Sequence, residues 1–192
     1  LDDKIFIDGK VAGFEEINTR TGKTLTANSD AQISTAQKKF GTASLLLDGT
    51  GDYVSLASSN DFGFGTGSFS INFWVRLDAI GGTAQNLLDM RAGSASDTAV
   101  RLYTTSGNLY FDVGGTAQIT ANSALSATTF HYIAIDRSGT STKLFVDGTQ
   151  VGTYSDSNNY GNIKPLVIGA AFDGSDATDG HIDDFRVIKG AS

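Results

Sequence analysis

The 192 residues include no cysteine. A disulfide framework, a thiolate nucleophile and a zinc–thiolate site are therefore excluded. Proline occurs once, and no apolar run is long enough to span a bilayer. No signal-peptide pattern opens the chain, and no Asn-x-Ser/Thr sequon occurs in it. Basic residues are few: 14 Lys and Arg stand against 21 Asp and Glu, for a net charge of −7. They are scattered, and only Lys38 and Lys39 are adjacent. Nucleic-acid binding needs clustered cations that displace counterions from phosphate, so no nucleic-acid partner is expected. An acidic surface also disfavours anionic membranes, and no membrane partner is expected.

Glycine is plentiful instead, at 23 residues, in a background rich in Ser and Thr. Aromatic residues at 10% suffice for a core. Alternation of apolar and polar residues dominates the pattern. In Phe69–Leu77, residues Phe69, Ile71, Phe73, Val75 and Leu77 face one way. Further strands are expected at Ala43–Leu47, Tyr53–Ala57, Gln85–Met90, Ala99–Thr104, Leu109–Val113, Phe130–Asp136, Lys143–Gly148, Pro165–Ala170 and Ile182–Ile188. Asp48-Gly, Ser106-Gly, Gly114-Gly, Ser138-Gly and Asp147-Gly supply turns between them. The best helical candidate, Asp30–Lys39, has poor apolar spacing. Many short strands without helical crossovers predict an all-β fold, two antiparallel sheets packed face to face. One domain is expected over residues 1–192. Residues 1–39 are its irregular part, an edge strand near Lys4–Ile7 followed by wrapping loops.

Five stretches, in order, carry a resemblance. Phe40-Gly-Thr-Ala-Ser-Leu-Leu-Leu-Asp-Gly-Thr-Gly-Asp-Tyr-Val-Ser-Leu resembles the opening hairpin of laminin-G-like and pentraxin-like domains. Gly67-Ser-Phe-Ser-Ile-Asn-Phe-Trp-Val-Arg is similar to their G-x-F-T-x-E-F-W-V strand. Phe130-His-Tyr-Ile-Ala-Ile-Asp-Arg is similar to W-H-H-V-A-L-x-R, with Phe130 where Trp is usual. Lys143-Leu-Phe-Val-Asp-Gly resembles L-Y-V-D-G, and Gly180-His-Ile-Asp-Asp-Phe-Arg-Val resembles G-x-I-D-D-x-R-I. The matches span roughly residues 40–190. The resemblance implies a concanavalin A-like jelly roll. It also implies the settings of such domains: matrix proteins, secreted bacterial enzymes, adhesins and phage tail or capsid proteins, most of them binding glycans or proteins.

Catalysis is disfavoured by spacing. Glycoside hydrolysis needs two carboxylates flanking the bond, about 5 Å apart in retaining enzymes. Only residues i and i+2 of a strand share a face. The sole glutamates, Glu15 and Glu16, are adjacent, and no Asp-x-Asp, Glu-x-Asp or Asp-x-Glu occurs. A cross-strand pair of aspartates would need coincidence. His131 is expected to be structural, and for His181 a surface position is weighed equally. Neither has an evident Ser or Asp partner. On the last strand, Asp183 is expected to share a face with Phe185 and Val187, and Asp184 with Arg186. One of these acids should anchor a neighbouring loop's amides, since an unpaired buried charge is costly. Asp184 and Arg186 should pair.

The acidic loops raise the possibility of Ca2+, which takes six to eight oxygen ligands. By resemblance to pentraxin-like domains, Asp97, Asp173 and Asp176 are the candidate ligands. Ala170, Ala171 and Phe172 stand where further ligands would be expected, which points to a weaker single site or to a plain solvated turn. For a glycan, the candidates are Tyr154, Asn158, Asn159 and Tyr160, two rings and two amides in one polar loop, with Phe172 beside the acidic turn. Trp74 lies opposite the apolar stripe and is read as structural. The leading expectation is a non-catalytic module that recognises a glycan or cell-surface polysaccharide. Its setting would be a phage virion, as a tail or capsid decoration, or a bacterial surface or secreted protein, in contact with other virion or surface proteins. The alternatives are an assembly domain with no glycan ligand and, third, a polysaccharide-processing enzyme.

Overall fold

The computed structural model describes residues 5–7, 17–19 and 23–190. Strands β1 (Ile5–Ile7) and β2 (Ile17–Thr19) pair with each other. Glu15 and Glu16 lie outside the described residues. The other strands form two seven-stranded sheets whose strand pairings are all antiparallel. One runs β14 (Thr149–Ser155), β13 (Ser141–Val146), β12 (Phe130–Ser138), β7 (Phe69–Leu77), β16 (Asp179–Lys189), β5 (Ser44–Asp48) and β4 (Gln32–Ser34). The other runs β11 (Thr116–Ala121), β10 (Asn108–Val113), β9 (Val100–Thr105), β8 (Gln85–Asp89), β15 (Lys164–Ile168), β6 (Tyr53–Ser59) and β3 (Leu25–Asn28). We call them the β7 sheet and the β9 sheet. This is the expected antiparallel β-sandwich, with the layout of a concanavalin A-like jelly roll.

The alternating stripes make the core. Phe69, Ile71, Phe73, Val75 and Leu77 are all at most 1% exposed, while Ser70, Asn72, Trp74 and Arg76 between them stay half-buried. Phe73 stacks on Phe185 and Phe64 on Phe69. All five residues of β8 are buried, because the segment after β15 folds across its outer face. Asp176 there accepts backbone and side-chain hydrogen bonds from Asn86 through its carbonyl.

Five strands went unexpected: β2, β3, β4, β11 and β14. The last four hold sheet edges, and their residues are largely exposed or half-exposed. Edge strands need no second buried face, so their sequences carry weak alternation. The Asp30–Lys39 segment forms β4 and bends, with no helix.

Strand β16 corrects one expectation. A bulge between Asp183 and Arg186 inserts a residue, and Asp184 takes the left-handed conformation (φ 50°). Asp183 therefore pairs with Trp74 on the outer face and does not share the inner face with Phe185 and Val187. It is nevertheless only 2% exposed, because its Oδ2 accepts the N–H groups of Lys39 (2.7 Å) and Phe40 (2.9 Å). The loop-anchoring role expected of one acid falls to Asp183. Asp184 pairs with Arg186 as expected, at 2.5 Å.

Candidate functional site

The outer face of the β9 sheet gathers polar and aromatic groups from three strands. The β9–β10 hairpin sets Tyr103 opposite Tyr110 and Arg101 opposite Asp112. Strand β8 adds Asn86 beside Tyr103 and Asp89 beside Arg101. Two rows result: Tyr110, Tyr103, Asn86, and Asp112, Arg101, Asp89. The tyrosine rings stack with centroids 4.8 Å apart and planes 10° from parallel. Arg101 lays its guanidinium 4.2 Å from the Tyr103 ring centre, and its Nε donates to Asn86 Oδ1 at 2.6 Å. Both rings remain half-buried, with part of each open to solvent. Burial pushes the Tyr103 phenol up. Burial also pushes the Asp112 carboxyl up, and Arg101 and the Gly115 N–H only partly oppose it.

The expected calcium ligands surround this face without meeting one another. Asp97 accepts from Lys164 Nζ at 2.5 Å and from the Ala92 N–H at 2.7 Å. Burial would raise its carboxyl, but those two partners hold it low. Asp173 is exposed and accepts from the hydroxyl and N–H of Ser175, which keep it below the usual range. Asp176 has a carboxylate oxygen 3.9 Å from Arg101. Among the described residues, no three His, Asp or Glu side chains are placed to hold a metal ion. The positive charge near these acids comes from Arg91, Arg101 and Lys164. Arg91 is 4% exposed, binds Asp89 through Nε and Nη2, and lies within electrostatic reach of Asp97, Asp112 and Asp173. Its guanidinium covers the Phe172 ring at 4.9 Å, so Phe172 stands at the margin of this same face.

Of the four loop residues expected to meet a glycan, Tyr160 is buried, Tyr154 and Asn158 are half-buried and Asn159 is exposed. Tyr160 is 1% exposed, packs edge-on against Phe69 and donates its hydroxyl to Asp156 Oδ2 at 2.7 Å. It has no open ring face for a sugar. Asp156 is fully buried and also accepts from Thr142 and Asn158, while Arg137 donates to the carbonyls of Asp156 and Asn158. Tyr154 is half-buried against Phe111, and its hydroxyl accepts from Asn158. Asn159 alone of the four is exposed, its side chain closing a turn onto Gly161.

Both histidines have partners that sequence spacing concealed. His131 Nδ1 lies 2.7 Å from Asp147 Oδ2, and its Nε2 lies 3.0 Å from Ser126 Oγ. The Ser126 backbone N–H also donates to Nε2 at 3.1 Å. That amide occupies the lone pair a general base would use, and the ring acts as a brace between two loops. His181 is 3% exposed, which rules out a surface position, and its Nδ1 meets Ser44 Oγ at 3.0 Å.

Of the residues at the Tyr103 face, only Asp176 and Phe172 are among those expected from the sequence to bind a ligand. The signal existed: a two-residue turn at Ser106-Gly107 fixes the hairpin register and hence both cross-strand pairs.

Residues 48–192 match the concanavalin A-like lectin/glucanases superfamily. The chain belongs to that superfamily. Among curated proteins none matches it. Several solved structures share the fold of this lectin/glucanase domain. The binding domain of botulinum neurotoxin serotype D/C has a TM-score of 0.68 at 13% identity, covering 99% of this chain and 50% of that one. An HCR/D mutant has a TM-score of 0.72 at 15% identity, covering 100% of this chain and 49% of that one. The chain thus spans about half the length of those structures. Domain 4 of AbnA, a GH43 extracellular arabinanase from Geobacillus stearothermophilus solved in complex with arabinotriose, has a TM-score of 0.62 at 16% identity. That match covers 88% of this chain and 82% of the other.

Proposed function

We propose that this lectin/glucanase domain is a non-catalytic glycan-binding module and that the Tyr103 face receives the sugar. The observation that carries the reading is the stacked Tyr110–Tyr103 pair with Arg101 on it, bordered by Asp112 and Asp176. Ring surface suits the C–H face of a sugar, and the Arg101 guanidinium and the exposed Asp176 carboxylate suit its hydroxyls. Positive and negative groups alternate here, which favours a neutral sugar. The arabinotriose bound by the arabinanase domain of like fold agrees with this chemistry.

Hydrolysis is a poor fit to the same face. Asp112 and Asp89 lie two strands apart, roughly 10 Å between backbones, with Arg101 between them. Asp89 is also saturated by Arg91 and the Phe172 N–H. Calcium is not required by this reading, since Arg91, Arg101 and Lys164 already neutralise the acids. A cysteine-free, Gly-rich composition supports a setting on a virion or on a bacterial surface or secreted protein.

Isothermal titration against neutral oligosaccharides, arabinotriose first, tests the site. Tyr110→Ala should weaken binding at least about tenfold, in line with the loss of one stacking ring, and EDTA should leave it unchanged. An array on which no neutral glycan binds would sink the proposal and leave an assembly role.

A further inference from the structure

Lys38 and Lys39, the only adjacent basic residues, take no part in the Tyr103 face. They sit between β4 and β5, over the outer face of the opposite sheet. There Tyr132, Trp74 and Asp183 form one row across β12, β7 and β16. The Asp183 carboxylate is 2% exposed and spends Oδ2 on two successive amides, Lys39 and Phe40. A carboxylate withdrawn from water must have its lone pairs met, so this pair of bonds fixes the turn. Two side chains of opposite character are thereby held over Trp74. Phe40 meets the indole edge-on at 5.8 Å while remaining 52% exposed. The Lys39 ammonium lies 4.1 Å from the indole ring centre, within cation–π range. Tyr132 flanks the indole at 5.3 Å. The field of the Lys39 ammonium reaches Asp147, yet the acids that carry ion pairs here, Asp147 and Asp184, pair with His131 and Arg186. Lys39 is left an exposed, ordered ammonium beside an exposed ring. Ordering a lysine normally costs side-chain entropy on binding; here the indole has already restricted it.

We infer that this corner is a second ligand site and that it takes an acidic sugar residue. The carboxylate or sulfate pairs with Lys39, with Lys38 adding field, and the apolar face of the sugar ring rests on Phe40. The site is independent of the Tyr103 face, which lies on the far side of the sandwich.

Trp74 is the sole tryptophan, so its emission reads this corner without a label. The experiment titrates the protein with tetragalacturonate, with a sulfated carrageenan tetrasaccharide and with neutral arabinotriose, at low salt and at roughly 0.2 M salt. A saturable emission change is expected with one or both acidic sugars and none with arabinotriose. Which acidic sugar acts distinguishes carboxylate from sulfate. The affinity should fall roughly fivefold in Lys39→Gln, the loss of one exposed charge pair, fall similarly in Phe40→Ala, and weaken with salt. Both side chains are exposed, and an unchanged melting temperature confirms folding. Tyr110→Ala should leave the response intact, which separates failure here from failure of the first site. The inference is overturned if neither acidic sugar moves the emission, if arabinotriose moves it equally, or if Lys39→Gln binds as tightly as the unsubstituted protein.

Discussion

Asp156 shows how a loop that reads as a ligand site becomes part of the core. Its carboxylate is fully buried and accepts from Thr142 (2.6 Å), Tyr160 (2.7 Å) and both nitrogens of Asn158. Arg137, 1% exposed, brings Nε to 3.4 Å from the same group. Burial would raise the Asp156 carboxyl, but these donors together hold it low. Within the sequence Tyr154-Ser-Asp-Ser-Asn-Asn-Tyr160, nothing says that Thr142 and Arg137 wait in β13 and β12. Composition marked the segment as polar without marking which polar groups are spent internally. The consequence is graded. Tyr160→Phe removes one donor and should cost about 1–3 kcal/mol in urea unfolding. Arg137→Gln leaves a buried carboxylate without its counter-ion and should cost about 3–5 kcal/mol. Equal, small losses for both would show that the loop is held by something other than this network.

Strand β16 marks the limit of pattern reading for an element. Its existence, its place late in the chain and its Asp184–Arg186 pair were legible. Which face Asp183 occupies was not, because alternation carries no sign of an inserted residue, and the bulge reverses the assignment. The strands of the β9–β10 hairpin and the Ser106-Gly turn between them are legible in the sequence, whereas the Tyr103 face arises only when cross-strand pairing sets Tyr103 against Tyr110 and Arg101 against Asp112. Strand β16 also carries a sharp steric condition. Gly180 has φ +151°, and a Cβ there would run into the Arg76 carbonyl oxygen and the Leu77 Cα of β7. Gly139, at φ +58°, has open space around its missing Cβ. Gly180→Ala should therefore destabilise by more than about 3 kcal/mol, by forcing β16 from β7, and Gly139→Ala by about 1–2 kcal/mol. Comparable melting temperatures for the two variants would refute the close approach.

At the scale of the whole molecule, alternating stripes were enough to specify the sandwich, because burying them leaves few alternatives for so helix-poor a chain. The site depended on pairs distant in sequence, and so did the balance of charge. That balance gives the acid response two parts. Burial, helped by the nearby Arg76 cation, holds His181 below its ordinary 6.5. The unfolded chain then takes up a proton at His181 more readily than the folded one. The stabilisation is complete above pH 6.5 and is lost as pH falls toward the lowered folded value. The carboxyls of Asp61, Asp97, Asp147, Asp156 and Asp173 are all held below 3.8. Their stabilisation persists above pH 3.8 and disappears as pH falls through their folded values. Asp112, raised by burial, acts in the opposite sense: its contribution is present below 3.8 and lost as pH rises through its folded value. Melting temperature followed from about pH 8 to about pH 3 should therefore fall twice, first below 6.5 and again, more steeply, in the carboxyl range. His181→Gln keeps an amide donor facing Ser44 and should abolish the first fall while leaving the second. An unsubstituted protein whose melting temperature is level between neutral pH and pH 5, or a His181→Gln variant that retains the upper fall, would assign the acid response to other groups.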